Sequence, residues 1–99
     1  MIGGPPVMRP GGTISGVLSL PFMPRFYFDV TEDDQFAIDD TGEDMPRAEV
    51  GAAAAGTLAE IAYDAIRRSP RSATLAIDVR DDNGPVLRAR LDYRMEEPD

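Results

Sequence analysis

From Thr74 the chain reads Thr74-Leu75-Ala76-Ile77-Asp78-Val79-Arg80-Asp81, then Asp82-Asn83-Gly84, then Pro85-Val86-Leu87-Arg88-Ala89-Arg90-Leu91-Asp92-Tyr93-Arg94-Met95. Apolar and polar side chains alternate on both sides of the Asp-Asn-Gly run, the period of a half-buried strand. The pattern predicts strands over 74–81 and 85–95. Leu75, Ile77 and Val79 face inward from the first, and Leu87, Ala89, Leu91, Tyr93 and Met95 from the second. Asp81 to Gly84 suits a type I turn followed by a bulge, with Gly84 left-handed. That turn sets Asp81 opposite Pro85, Val79 opposite Leu87, Ile77 opposite Ala89 and Asp78 opposite Arg88. The register keeps the inward apolar residues of both strands on one face.

Upstream, residues 25–30 place Phe26, Phe28 and Val30 on one side of a strand. A polar turn, Thr31-Glu32-Asp33-Asp34, leads to a second strand over 35–39, in which Phe36 and Ile38 are expected to face the same way. A charged loop, 39–44, contains Gly42. Pro46 suits the first turn of a helix, where its missing N–H costs nothing. From 47 to 68 the period is helical. Val50, Ala54, Leu58, Ile61, Ala62, Ala65 and Ile66 form one apolar stripe, and Asp64 can pair with Arg68 one turn on. Gly51 and Gly56 weaken the helix by about 1 kcal/mol each relative to alanine, and leave its surface bare enough for another backbone to approach. Pro70 ends it. The predicted fold is α+β, a two-layer β-β-α-β-β arrangement of a four-stranded antiparallel sheet with one helix on one face.

Residues 1–22 read as a flexible Gly/Pro-rich leader whose only charge is Arg9, or as sequence upstream of a second start at Met23. No basic n-region precedes the broken apolar stretch 14–20, so a signal peptide is not expected. A short strand over 17–20, docked on a sheet edge, is an alternative for part of it. Residues 23–95 form the single predicted domain and 96–99 a frayed acidic tail.

Residue types absent from the chain exclude whole chemistries. There is no cysteine, no histidine and no lysine; all 10 basic residues are arginine. Disulfides, thiolate metal sites, imidazole bases, Schiff bases and the P-loop lysine are therefore ruled out. A composition of 42% hydrophobic and 28% charged residues is that of a folded domain rather than a disordered chain. The net charge of −8 repels phosphate backbones and anionic lipid, so neither nucleic acid nor membrane is an expected partner. No apolar run reaches the roughly 20 residues that cross a bilayer. The expected location is cytoplasmic.

The opening Met23-Pro24-Arg25-Phe26-Tyr27-Phe28-Asp29-Val30 resembles a bacterial family known only as domain of unknown function 6894, frequent in rhizobia and related alphaproteobacteria. Its members open with Met-Pro-Arg and a run of aromatics. The likeness continues through Asp40, Gly42, Glu43, Met45-Pro46, Glu49 and the alanine-rich helix, and on to Val79-Arg80-Asp81, Gly84 and Val86-Leu87. It spans about residues 23–95. Arg47 stands where such sequences often carry a capping Asp, and Gly51 and Gly56 make this helix poorer than usual. The resemblance implies a fold and a bacterial origin, and no reaction.

Four constellations bear on function. Asp29, Glu32, Asp33, Asp34, Asp39, Asp40, Glu43 and Asp44 form an acidic run with no intervening base. A weak Ca²⁺ or Mg²⁺ site around Asp39, Asp40, Glu43 and Asp44 is weighed against a solvated loop. The solvated loop is preferred, because the spacing fails the EF-hand pattern. Asp29 and Asp78 share the outer face of the sheet, but acid–base catalysis needs desolvation in a pocket. Arg88 is the expected partner of Asp78. The outer face collects Arg25, Tyr27, Asp29, Thr74, Ala76, Asp78, Arg80, Arg88, Arg90, Asp92 and Arg94. Tyr and Arg are enriched at interfaces, so Arg25, Tyr27, Arg80, Arg88, Arg90 and Arg94 are the candidate interaction residues. RNA stacking on Tyr27 is opposed by total charge. The basic patch Arg67-Arg68-Ser69-Pro70-Arg71-Ser72 is expected to terminate the helix, with self-association against the acidic loop through opposite charges as the alternative.

The expected function is a non-catalytic protein-interaction or regulatory module, with no cofactor and no metal, acting through its sheet face or edge strands. Its partner is an unidentified protein or a second copy, joined by strand addition across a two-fold axis. The alternative is an antitoxin-like regulator that binds a basic partner protein. The hairpin-then-helix order is similar to HicB-type domains, although no DNA-binding segment follows. An enzyme ranks last.

Overall fold

A computed structural model describes residues 23–98 of the chain. The expected leader and its alternative strand, 17–20, lie outside the described residues. The strands are β1 (Arg25–Glu32), β2 (Gln35–Ala37), β3 (Glu43–Asp44), β4 (Ser72–Asp81) and β5 (Gly84–Arg94). Between β3 and β4 come a 3-10 turn, Arg47–Glu49, and one helix, α1 (Val50–Arg68). All pairings are antiparallel; the order is β2-β1-β4-β5, with β3 also on β1. The fold is the expected small α+β plan, enlarged by the two-residue strand β3.

The β4–β5 hairpin follows from its alternation. Leu75 pairs with Leu91, Ile77 with Ala89, Asp78 with Arg88 and Val79 with Leu87. The turn differs from expectation. Asp81 lies opposite Gly84 and Arg80 opposite Pro85, with the register shift at Val79/Arg80. The bulge therefore falls at Val86, beyond Pro85, which has no N–H for the ladder and is tolerated beside a bulge. Asp81 accepts the Asn83 N–H at 2.8 Å. Gly84 takes φ 121°, a conformation glycine adopts freely.

The first hairpin corrects a larger expectation. Glu32 pairs with Gln35, Thr31 with Phe36 and Val30 with Ala37, so the turn is the two residues Asp33-Asp34 rather than a longer loop. Asp33 adopts φ 55°, which Asp tolerates better than most side chains. This register puts Phe36 on the face of Thr31, opposite the core. Phe36 and Ile38 are 62% and 64% exposed. The strand ends at Ala37 rather than at 39.

The core lies between the sheet and α1. Phe26, Leu75, Ile77 and Val79 are fully buried against Val50, Ala54, Leu58, Ala62 and Ala65. Each large side chain so buried contributes about 1.5–3 kcal/mol. Ile61 only borders this core, while Ile66 and Met95 are exposed. The helix has no side-chain cap at Pro46 or Glu49. Its C-terminal end is tied down instead. Arg68 pairs with Glu32 of β1 at 2.7 and 3.0 Å rather than with Asp64. The Tyr93 hydroxyl donates to the Ser69 carbonyl at 2.6 Å. Gly51 and Gly56 are exposed, and among the described residues nothing stands within 4 Å of where a Cβ would lie on either one. Among the described residues no helix is long and apolar enough to cross a membrane.

Candidate functional site: the outer sheet face and its margins

Strand alternation places the six candidate residues on the side of the sheet away from α1, with Tyr27 opposite Arg80 and Arg88 opposite Asp78. Thr31, Ala76 and Arg90 form one row across β1, β4 and β5, and Phe36 extends it onto β2. Ala76 is buried although it lies on this face.

The centre of the face is a polar cluster. Asp29, 7% exposed, accepts from Arg80 Nε at 2.9 Å and more weakly from its terminal nitrogen at 3.4 Å. Arg80 also donates to the Asp39 carbonyl at 2.8 Å and lies over the Tyr27 ring, 4.6 Å from its centroid. The Asp29 hydrogen bond raises the Arg80 pKa further, so its charge is permanent.

The same cluster closes a gap in the sheet. Between β2 and β3 the chain leaves β1, and the middle of β1 loses its backbone partner. The Asp39 carboxylate takes that place, accepting the Phe28 N–H at 3.0 Å. Asp39 donates its own N–H to Asp29 Oδ1 at 2.9 Å. Its second oxygen accepts the N–H groups of Thr41 and Gly42, each at 3.0 Å. The Gly42 and Phe28 N–H groups, in that order, hold the Asp39 carboxyl below its ordinary pKa. Gly42 has φ 75°, and a Cβ there would stand 2.8 Å from the side chains of both Arg25 and Tyr27. Arg25 itself grips Asp44 at 2.9 and 3.2 Å and the Thr41 carbonyl at 3.0 Å.

This geometry redistributes the expected roles. Arg25, Tyr27, Arg80 and Arg88 are engaged within the chain, the last through Asp78 at 2.6 and 3.1 Å. Arg90 makes only a 3.3 Å contact with Asp92 two residues on, and Arg94 has no ion pair among the described residues. Asp29 and Asp78 are direct cross-strand neighbours, each neutralised by its own arginine. The 39–44 segment is exposed along most of its length, as expected of a solvated loop, and is also anchored through Asp39 and Asp44. Among the described residues no three carboxylates converge to hold a metal ion. The basic run after α1 is dispersed: Arg67 sits near Tyr63, Arg68 on Glu32 and Arg71 within 3.5 Å of Glu97.

Two features escaped the sequence reading. The Asp39 hub had a local signal, an Asp three residues before a glycine, the pattern of a side chain closing its own turn. The exposed pair Phe36 and Ile38 had none beyond the length of the preceding turn.

The family model described as "Domain of unknown function (DUF6894)" matches residues 25–92, from the first residue of β1 nearly to the end of β5. The comparisons with curated proteins and with solved structures give no match.

Proposed function

Because the chain belongs to the DUF6894 family, which carries no assigned reaction, we propose its role from geometry: a non-catalytic, cytoplasmic protein-interaction module that docks a partner on the outer sheet face. The observation that carries this reading is the exposure of Phe36 and Ile38, 62% and 64%, where the two-residue turn sets Phe36 beside Thr31 on that face. Large apolar side chains left in water at the rim of an ordered polar surface are a common mark of a docking site. The ion-paired cluster behind them supplies a rigid platform, which lowers the entropic cost of binding. The non-catalytic part of the reading is supported by the pairing of Asp29 and Asp78 with Arg80 and Arg88, which occupies the carboxylates an acid–base mechanism would use.

The test is affinity capture from the native cell with the full chain and with Phe36→Asp and Ile38→Asp variants, read by quantitative mass spectrometry. Both variants are expected to fold and to lose the proteins captured by the unmodified chain. An identical captured set, or nothing captured above background, overturns the proposal.

A further inference from the structure

We infer that β5 pairs antiparallel with β5 of a second copy of this chain, in a register centred on Leu91. This rests on the reading of the chain as an interaction module and names one partner for it.

β5 is the longest strand, 11 residues, and lies at the end of the sheet order, with no strand on its other side among the described residues. Its backbone orientation is fixed by one hydrogen bond. The Met95 N–H donates to the Arg71 carbonyl at 2.7 Å, just beyond the β4 ladder. The register is continuous from Leu87 to Arg94, so odd-numbered residues turn their backbone groups toward β4. Arg88, Arg90, Asp92 and Arg94 therefore present theirs to the open edge. Exposed edges usually carry a device that blocks pairing, such as a bulge, a proline or charged side chains. Here Pro85 and the Val86 bulge sit at one end, and the charges along the remaining edge are of both signs, Arg88, Arg90 and Arg94 with Asp92, so the register decides whether they repel or pair.

The side chains of that edge select a register. In a two-fold pair the central residue faces its own copy, so a centre at Arg90 or Asp92 places like charges on the axis. A centre at Leu91 instead sets Arg90 opposite Asp92 of the second copy, and the reverse, using the whole outward ladder from Arg88 to Arg94. Arg88 then faces Arg94 of the second copy, but its charge is already matched by Asp78 at 2.6 Å. A centre at Tyr93 also matches charges, yet it leaves Arg88 without a partner and runs past Arg94, where the strand ends. On the helix side, the Leu91 register brings Leu87 against Met95 of the second copy. This covers a side chain that is 51% exposed and extends the half-buried row Leu87, Ala89, Leu91 and Tyr93. A contact built on one strand from each copy falls near the lower limit of specific interfaces, about 1,200 Å² or less, so the dimer forms in a concentration-dependent way.

The absence of cysteine makes a direct test available. Residues facing each other across a non-hydrogen-bonded antiparallel site have Cα atoms about 4.5 Å apart, within disulfide reach. In the full chain, Leu91→Cys is expected to form a covalent dimer on mild oxidation. Ala89→Cys and Tyr93→Cys are each expected to stay monomeric alone and to cross-link when mixed. Light scattering of the unmodified chain is expected to show a monomer–dimer equilibrium. Asp92→Arg weakens it about tenfold, and adding Arg90→Asp restores it. A chain monomeric at millimolar concentration, or cross-linking of Ala89→Cys or Tyr93→Cys alone in place of Leu91→Cys, overturns the inference. A monomer whose captured proteins still depend on Phe36 overturns the dimer and leaves the outer-face reading intact.

Discussion

The two margins of the sheet are treated in opposite ways. On the β1 side the chain returns twice, as β2 and β3, and where it strays the Asp39 carboxylate accepts the Phe28 N–H in place of a strand. Asp29, Arg80, Tyr27 and Gly42 are committed to holding that substitution in place. On the β5 side the described residues supply no such closure, and the side chains along the edge alternate in sign at Arg90 and Asp92. A buried N–H without an acceptor costs about 1–3 kcal/mol, which explains why the first margin is sealed with such care. Among the described residues nothing covers the second margin's N–H groups, which cost little wherever water reaches them.

The sharpest way to break this contrast is to remove one carboxylate from each margin. Asp29→Ala strands the Asp39 N–H and takes the carboxylate partner from the partly exposed Arg80, and the orphaned N–H is expected to cost about 1–3 kcal/mol. Asp92→Ala, in dilute solution, is expected to change stability by no more than about 0.5 kcal/mol. Urea unfolding measures both, and equal losses would abolish the distinction. A comparable effect separates two glycines. Gly42→Ala forces an alanine into φ 75° against Arg25 and Tyr27, and is expected to cost about 1–3 kcal/mol. Gly51→Ala, on an open helix surface, is expected to gain about 0.4–1 kcal/mol. Thermal unfolding that moves both in the same direction contradicts the packing described at Gly42.

The smallest effect is one of pH. Asp39 titrates below its ordinary value of 3.8 in the folded chain because backbone N–H groups bind its ionised form. A carboxyl depressed by folding stabilises the native state in full above the unfolded pKa. That contribution fades as pH falls through 3.8 toward the lower folded value. Glu32, lowered from 4.5 by its hydrogen bond to Arg68, behaves the same way. Asp39→Asn is therefore expected to flatten part of the acid limb of stability against pH and to leave the rest to Glu32. Superimposable limbs for the two proteins would show that Asp39 is not held as described.

How far these margins could be read from sequence depended on which physics decided each one. The β4–β5 pairing was legible because two alternating strands and an Asp-Asn-Gly turn constrain one another, so even a shifted bulge left Val79 opposite Leu87. The helix was legible because Val50, Ala54, Leu58, Ala62 and Ala65 recur at its period. The common face of Arg25, Tyr27, Arg80, Arg88, Arg90 and Arg94 followed from the same alternation. The face of Phe36 did not, since four polar residues, 31–34, accommodate turns of either parity and one residue reverses the side. Nor did the Asp29–Arg80 pair and the Asp39 hub, which join residues 51 and 11 positions apart through side chains rather than through any repeating pattern.

Amide hydrogen exchange, followed residue by residue at two protein concentrations, tests the contrast most directly. The Phe28 amide is expected to be protected to the same degree at both, because Asp39 of its own chain covers it. The amides of Arg90 and Asp92 are expected to exchange freely in dilute solution and to slow as concentration rises. A freely exchanging Phe28 amide, or Arg90 and Asp92 amides already protected in dilute monomer, would contradict the account.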